Sequence, residues 1–142
     1  MASQKKAFRI FCVIGDGEMQ EGSNWEAIQF AVRHRLSNLI IVIDCNGLQA
    51  MDFLVDVMDL QADAVKERLK GFGVKCFDCS GHDMSSLSSC FQEIHQAKLE
   101  GPVAVLAHTI KGRGMKCMEN IPKFHFRVPN DDELKLGKTY GE

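Results

Sequence analysis

The sequence predicts an α/β protein with a mostly parallel sheet and helices on both of its faces. Strand-like and helix-like segments alternate along the 142 residues, and this alternation is typical of parallel sheets. Residues 39–44 form a near-continuous apolar run, as expected for a strand that is covered on both faces. Hydrophobic residues make up 45% of the chain and charged residues 25%, which is ordinary for a globular domain.

The first half of the chain predicts two strands joined by a helix. Residues 8–14 are apolar and indicate a first strand, and residues 15–22 form a glycine-bearing loop. Ser23 and Glu26 fit a capping box that begins a helix running to about Arg35. The side chains expected on its buried face are Trp25, Ile28, Ala31 and Val32. The apolar run described above follows as the second strand.

The second half predicts two more strands and two more helices. In chain order we expect an irregular segment at 45–60, a helix at 63–70, a strand at 74–79, a helix after an Asp83 cap, and a strand at 103–109. The apolar face of the helix after the cap is predicted to carry Met84, Leu87, Phe91 and Ile94. A sheet of four strands leaves open edges, so the chain is expected to be part of a larger assembly.

Charge and hydropathy narrow the class of partner. Lys and Arg total 17 against 19 Asp and Glu, a net charge of -2, and this balance does not predict nucleic-acid binding. No apolar run reaches the ~18 residues that a membrane span needs. Arg9 interrupts the first apolar run, which argues against a signal peptide. We expect a cytoplasmic protein that binds neither nucleic acid nor membrane.

The six cysteines allow two interpretations. Cys76 and Cys79 have the spacing of a zinc or redox pair, and His82 follows them. A second such pair, or a second histidine at finger spacing, is missing from the sequence. We therefore expect buried or half-buried reduced thiols, which pack as small hydrophobic side chains.

Polar residues follow the first two predicted strands. Gly15, Asp16 and Gly17 come after the first strand, and Asn46 follows the second strand, 30 positions after the aspartate. That separation is one βαβ unit, so both side chains should emerge at the carboxyl edge of the sheet, where open α/β folds bind ligands. Carboxylate and amide oxygens suit Mg²⁺, which completes its shell with phosphate oxygens and water. Alternatively, Asp16 and Asn46 are simply turn residues next to glycines.

This motif resembles the thiamine-diphosphate motif, and residues 15–27 resemble its transketolase version. Further segments similar to transketolases are 36–40, 81–83, 107–114, 118–120 and 129–134. The last of these resembles the end of the amino-terminal subunit of split bacterial transketolases. The resemblance runs from about residue 8 to 134 and implies part of a thiamine-diphosphate-binding fold. It implies a partial diphosphate-binding α/β domain at 1–118 and a C-terminal tail at 119–142 that carries the His125 segment.

The resemblance implies a cofactor site made of thiamine diphosphate and Mg²⁺. Asp16 and Asn46 would bind the metal by their side chains, and Leu48 by its carbonyl. Gly15 and Gly17 would face the cofactor, and the second glycine would offer its backbone N–H to the diphosphate. Glycines suit such a close approach of the backbone to a ligand.

Four further residues match functional positions of the family. Glu21 and Glu26 match acidic residues near the subunit interface of the family that couple two cofactor sites. Glu26 has an alternative role in the predicted capping box. His108 falls where the family often has a His or Lys near the cofactor, although a histidine after a strand is often structural. His125 matches a histidine that handles protons of the sugar, a role suited to its pKa near neutrality.

Two positions depart from the family pattern. Phe126 follows His125 where the family has glycine, and Phe53 stands where the family usually has a turn glycine. Since glycine permits a turn that Phe resists, we expect the loop to misdirect His125 and weaken its role.

The resemblance implies a transketolase component that moves a two-carbon ketol unit from a ketose to an aldose. The glycine-rich diphosphate loop and the pyrimidine-binding domain are missing from this sequence. Activity on sugar phosphates is therefore expected only in a homo-oligomer or a complex with chains that supply these parts. Two alternatives are a non-catalytic transketolase-like remnant with an association or regulatory role, and another thiamine-diphosphate enzyme similar to deoxyxylulose-phosphate synthase.

Overall fold

A computed structural model describes residues 8–50, 52–58 and 60–137. They contain one four-stranded sheet with the strand order β1-β2-β4-β3. The strands are β1 (Ile10–Gly15), β2 (Leu39–Cys45), β3 (Lys75–Ser80) and β4 (Val103–His108). All three strand pairings are parallel. The predicted fold class is confirmed, and β4 inserts between β2 and β3.

The described residues also contain five α-helices. They are α1 (Gly22–Arg33), α2 (Leu54–Val57), α3 (Ala62–Gly71), α4 (Met84–Gln96) and α5 (Asp131–Gly137). One apolar cluster joins α1 and α3 to one face of the sheet, and a second joins α4 to the opposite face. Both faces are thus covered, as predicted. Within the described ranges, every helix is too short or too polar to span a lipid bilayer.

The start of α1 differs from the prediction. The predicted capping box of Ser23 and Glu26 is wrong, because α1 begins at Gly22 and its cap position is Glu21, two residues before the predicted cap. Glu21 makes no side-chain cap hydrogen bond. Two side chains anchor the first turn instead. Asn24 Nδ2 and Trp25 Nε1 each donate to a carbonyl of the preceding 3₁₀ turn at 2.7 Å. These two side-chain hydrogen bonds to the preceding turn therefore fix where α1 begins.

The other elements follow the predicted order with shifted ends. The Asp83 cap is confirmed, since its carboxylate accepts from Ser85 N and Ser86 N at the start of α4. Met84 is exposed, so its prediction as part of the apolar face is wrong. The 45–60 segment contains α2, and the predicted tail contains α5 and a 3₁₀ turn at Pro122–His125.

All six cysteines are free thiols. Cys76 packs on the α3 side of β3, whereas Cys79 belongs to the α4 cluster, because residues three apart on a strand face opposite ways. Cys12 is exposed, so the expectation of buried or half-buried thiols is wrong for this one. Its strand, β1, lies at the outside of the described sheet.

Candidate functional site

The loops after β1 and β2 meet at the carboxyl edge of the sheet. The two strands are in register, with Gly15 opposite Asp44, and Asp16 N donates to the carbonyl of Asp44 at 3.1 Å. Asp16 and Asn46 line one cleft of about 510 Å³, a size typical of ligand sites. As predicted, Asp16 and Asn46 lie at the same edge of the sheet and line the same cleft.

Asp16 joins the two loops. Its side chain is buried, with the residue only 2% exposed. Oδ1 accepts from Gly17 N at 2.8 Å, and Oδ2 accepts from Gly47 N, in the second loop, at 2.7 Å. Gly47 has φ +74°, a left-handed conformation that favours glycine. The carboxylate therefore holds both loops in place before any ligand arrives.

The electrostatic surroundings of Asp16 suit a cation. Burial raises the pKa of this carboxyl group, and the negative charge of Asp44 raises it further. The backbone N–H groups of Gly47 and Gly17 act in the opposite direction. A cation beside Asp16 would offset both the burial and the repulsion, because an opposite charge favours the ionised form.

The amide of Asn46 is oriented by its neighbours. Nδ2 donates to Asp44 Oδ2 at 3.0 Å, and Oδ1 accepts from Leu48 N at 2.9 Å. Asp44 accepts a further hydrogen bond from Thr109 Oγ1. An ionised carboxylate only accepts, so it fixes the nitrogen of the amide towards itself. Asp44 and Thr109 were not predicted as orienting residues. The signal for the first was an aspartate two positions before the candidate ligand Asn46.

The donor set fits a magnesium–diphosphate group. Asp16, Asn46 and the Leu48 carbonyl offer oxygen, the ligand atom that Mg²⁺ prefers. Each hydrogen-bonded side-chain oxygen keeps a second lone pair. A Cβ at Gly17 would lie 3.0 Å from Gln49 Cβ, so a side chain there would push the two loops apart. Glycine at this position keeps the loops close to each other.

One detail of this fit differs from the expectation. The Gly17 N–H was expected to bind the diphosphate, but it donates to Asp16. Gly15 lines the cleft, and its N–H donates to Glu18 Oε2 at 2.6 Å. Lys111 also lines the cleft and adds a positive charge that was not predicted there.

His125 reaches the cleft despite the aromatic residue that follows it. Phe126 has φ −128°, which any residue adopts, and its side chain points to solvent. The 3₁₀ turn at Pro122–His125 is held by buried Phe124, and His125 lines the same cleft as Asp16. The expectation that this loop misdirects the histidine is wrong, because no left-handed turn is needed.

The environment of His125 lowers the pKa of its imidazole. Partial burial is the main cause and the positive charge of Lys111 adds to it, while the backbone of Leu48 acts in the opposite direction. Phe53, the second departure, has φ −63°. Among the described residues of this loop, Gly47 is the left-handed one, and neither departure strains the backbone.

Two of the predicted site residues lie outside the cleft. His108 Nε2 lies 3.1 Å from Asp78 Oδ1, and Asp78 is also paired with Lys66 of α3. Glu26 is exposed on α1 and does not line the cleft, whereas Glu21 does. Most of the predicted site residues therefore line the cleft, but His108 and Glu26 do not. The predicted residues that line the cleft are Gly15, Asp16, Gly17, Glu21, Asn46, Leu48 and His125.

A parallel α/β sheet whose first two strands end in an acidic, glycine-bearing cleft defines a ligand-binding α/β domain. Residues 4–141 match the family model described as "Transketolase, thiamine diphosphate binding domain". The chain belongs to this family, as its sequence motifs predicted.

Several known proteins resemble the chain. It is 38% identical over 128 residues to an apulose-4-phosphate transketolase subunit from Actinobacillus succinogenes, covering 90% of this chain and 45% of that protein. It is 36% identical over 122 residues to human transketolase, covering 85% of this chain and 18% of that protein. The crystal structure of Campylobacter jejuni transketolase matches with a TM-score of 0.74 and 26% identity, covering 82% of this chain and 18% of that one.

The lengths of these relatives differ from that of the chain. It spans a little under half of the Actinobacillus relative and under a fifth of human transketolase. The matched part of the relatives is a portion of a multi-domain or split enzyme.

Proposed function

We propose that the chain is a transketolase component that binds Mg²⁺ and thiamine diphosphate at the carboxyl edge of its sheet. Together with partner chains it transfers a two-carbon ketol unit from a ketose to an aldose. The observation that carries this proposal is buried Asp16, whose carboxylate joins both loops beside Asn46 in a family member. Relatives named as transketolases support the reaction class.

In this proposal the metal is held by Asp16, Asn46 and the carbonyl of Leu48. Because the Gly17 N–H is engaged by Asp16, the chain would supply the diphosphate with positive charge from Lys111. Gly15 and Gly17 would let the loops approach the ligand closely. Thiamine diphosphate, when bound, supplies the electron sink for making and breaking carbon–carbon bonds.

His125 is the proposed proton-handling residue for the sugar phosphate. Its lowered pKa keeps the imidazole neutral near pH 7, so it can accept a proton from a substrate hydroxyl and return it. Glu21 lines the cleft and is proposed to act at the cofactor site. Exposed Glu26 is proposed to meet a partner chain, and His108 to be held by Asp78 in a structural role.

The partners in this proposal are chains that supply the remaining diphosphate-binding half and the pyrimidine-binding domain. Residues 1–118 would form the partial α/β domain, and the 119–142 tail would bring His125 to it. We propose a cytoplasmic location. The remnant alternative drew part of its support from Phe53 and Phe126, and their ordinary φ values remove that part.

Calorimetric titration of thiamine diphosphate in saturating Mg²⁺ tests the proposal on the assembly reconstituted with partner chains. Asp16→Ala should weaken binding by more than about 100-fold, since even groups behind a metal ligand contribute about 10–100-fold. Asp83→Ala is the matched control, because this helix cap lies outside the cleft. Unchanged affinity of the Asp16 variant would refute the anchor. Cofactor binding without ketol transfer would refute only the proposed reaction.

A further inference from the structure

The segment that carries His125 is tied to α5 through one carboxylate. Glu133, in the first turn of α5, binds two cations that lie on either side of the histidine in the chain. Arg127 Nη1 and Nη2 donate to Glu133 Oε2 and Oε1 at 2.9 and 2.5 Å, and Lys123 Nζ donates to Oε1 at 3.1 Å. Lys123 precedes His125 by two residues, and Arg127 follows it by two. The carboxylate therefore bridges the two ends of a short segment centred on the histidine.

The aromatic ring next to the histidine adds to this connection. Phe124 is only 7% exposed, and the cationic groups of Lys123 and Arg127 lie 4.9 and 4.8 Å from the centre of its ring. A cation within about 6 Å of a ring centre is attracted to the face of the ring. Each cation thus contacts both the carboxylate of Glu133 and the ring that precedes His125. A shift of the 3₁₀ turn would break several of these contacts at once.

The position of Glu133 is itself fixed by the start of α5. Glu133 N donates to Asn130 Oδ1 at 2.9 Å, and Asn130 N donates to Glu133 Oε2 at 2.9 Å. This reciprocal pair has the arrangement of a capping box. The hydrogen bonds from Arg127 are the main cause that lowers the pKa of the Glu133 carboxyl group to about 2, and those from Asn130 and Lys123 add to it. The group is therefore ionised near neutral pH.

The geometry of this ion pair is of the kind that fixes a segment. Exposed ion pairs usually contribute little, but bidentate arginine–carboxylate pairs and charge networks are exceptions. Both exceptions apply to Arg127 and Glu133, whose side chains are 37% and 21% exposed. Two parallel hydrogen bonds also set the relative orientation of the two planar groups. The contact therefore restrains the segment in direction as well as in distance.

We propose that Glu133 is a positioning residue for His125, which it holds in the cleft through the two cations. The carboxylate of Glu133 lies outside the lining of the cleft, so it acts through the histidine and not on a bound ligand. His125 lines the cleft beside Leu48, with its imidazole within hydrogen-bond reach of the Leu48 backbone. A proton-transfer group works only within hydrogen-bond reach of its substrate atom, so its placement controls its effect. This inference rests on the proposed proton-handling role of His125.

NMR spectroscopy of the full chain tests the placement of the histidine without cofactor or partner chains. Wild type should show nuclear Overhauser effects between the imidazole protons of His125 and the backbone of Leu48. Glu133→Ala should lose most of this intensity, because it removes the ion pairs and the helix cap. Glu133→Gln should lose less, since glutamine also completes a capping box but carries no charge. Asp132→Ala is the matched control, because that carboxylate is exposed and pairs with Lys135 instead.

Ketol transfer by the reconstituted assembly measures the catalytic consequence. Glu133→Ala should lower kcat by about tenfold or more, because a small displacement of a reacting group can cost about 100-fold. The affinity for thiamine diphosphate should stay that of wild type, since Asp16 is held by Gly17 and Gly47. In a His125→Ala background, Glu133→Ala should lower kcat no further, because the effects of residues that act through one group do not add.

Two outcomes would overturn this inference. One is a set of nuclear Overhauser effects at His125 that Glu133→Ala leaves unchanged, and the other is an equal loss of kcat with and without His125. An assembly that binds thiamine diphosphate but transfers no ketol unit would refute the proposed reaction alone, because the NMR measurement reports the position of the histidine without turnover.

Discussion

β1 and β2 are adjacent strands with similar sequences and opposite surroundings. β1 begins Ile-Phe-Cys-Val-Ile and β2 begins Leu-Ile-Ile-Val-Ile, and the two pair residue by residue. Ile43 of β2 is fully buried, whereas Val13 of β1 is 69% exposed. β2 lies inside the described sheet, between β1 and β4, and its side chains enter the apolar clusters on both faces, whereas β1 lies at the outside. An apolar composition therefore predicts that the side chains of a strand should be buried, but the position of the strand in the sheet determines whether they are.

Core truncation should give the largest contrast between the two strands. Ile43→Ala should lower the free energy of unfolding by about 2–5 kcal/mol, because it leaves a cavity in a packed core. Val13→Ala should cost less than about 0.5 kcal/mol, as for other surface substitutions. Urea unfolding at concentrations where the chain is monomeric measures both. Equal losses for the two variants would contradict the difference in burial between Ile43 and Val13.

The residues that follow the two strands give a smaller contrast. Asp16→Asn replaces one acceptor oxygen by an NH₂ group facing a backbone N–H donor, so it should cost about 1–3 kcal/mol of stability. Asp44→Asn should cost less, since its partners are the side chains of Asn46 and Thr109, which can reorient. The same urea titrations compare them. A larger loss for the Asp44 variant would contradict the view that Asp16 is the main tie between the loops.

Thiol reactivity compares the two strands without altering stability. Burial raises the pKa of Cys45 in β2 to about 12, with the charges of Asp16 and Asp44 adding to it. At pH 8 only about 10⁻⁴ of that thiol is the reactive thiolate, whereas Cys12 of β1 is exposed. Maleimide labelling followed by mass spectrometry should modify Cys12 first and Cys45 only after unfolding. Labelling of both at one rate would contradict the burial of β2.

The features that the sequence predicted correctly depend on local patterns or on parallel topology. The apolar run of β2 and the Asp83 cap are local, and the approach of Asp16 to Asn46 follows from one βαβ unit. The failures involve side-chain contacts that do not follow the spacing of a helix or a strand. Trp25 donates to the carbonyl of a turn residue six positions earlier, and His108 pairs with Asp78 on β3, 30 positions away. Neither contact belongs to a helical or strand repeat, so the sequence pattern did not indicate it.

The family resemblance succeeded and failed in the same way as the local sequence patterns. It predicted a shared cleft and was confirmed at the level of the family, but it could not supply backbone angles. A glycine in relatives suggested a left-handed turn at position 126, and the chain uses an ordinary φ there instead. Matching residues across a family therefore identifies which side chains meet more reliably than how the loops between them run.

The central claim is that a divalent cation and a diphosphate bind between the ends of β1 and β2. Mn²⁺, which accepts the same oxygen ligands as Mg²⁺, can replace it as a paramagnetic probe with pyrophosphate in the full chain. The ¹⁵N–¹H signals of Gly17, Gly47 and Leu48 should broaden first in wild type and stay sharp in Asp16→Ala. Broadening confined to exposed acids such as Asp131 and Asp132, or identical in the variant, would contradict the account.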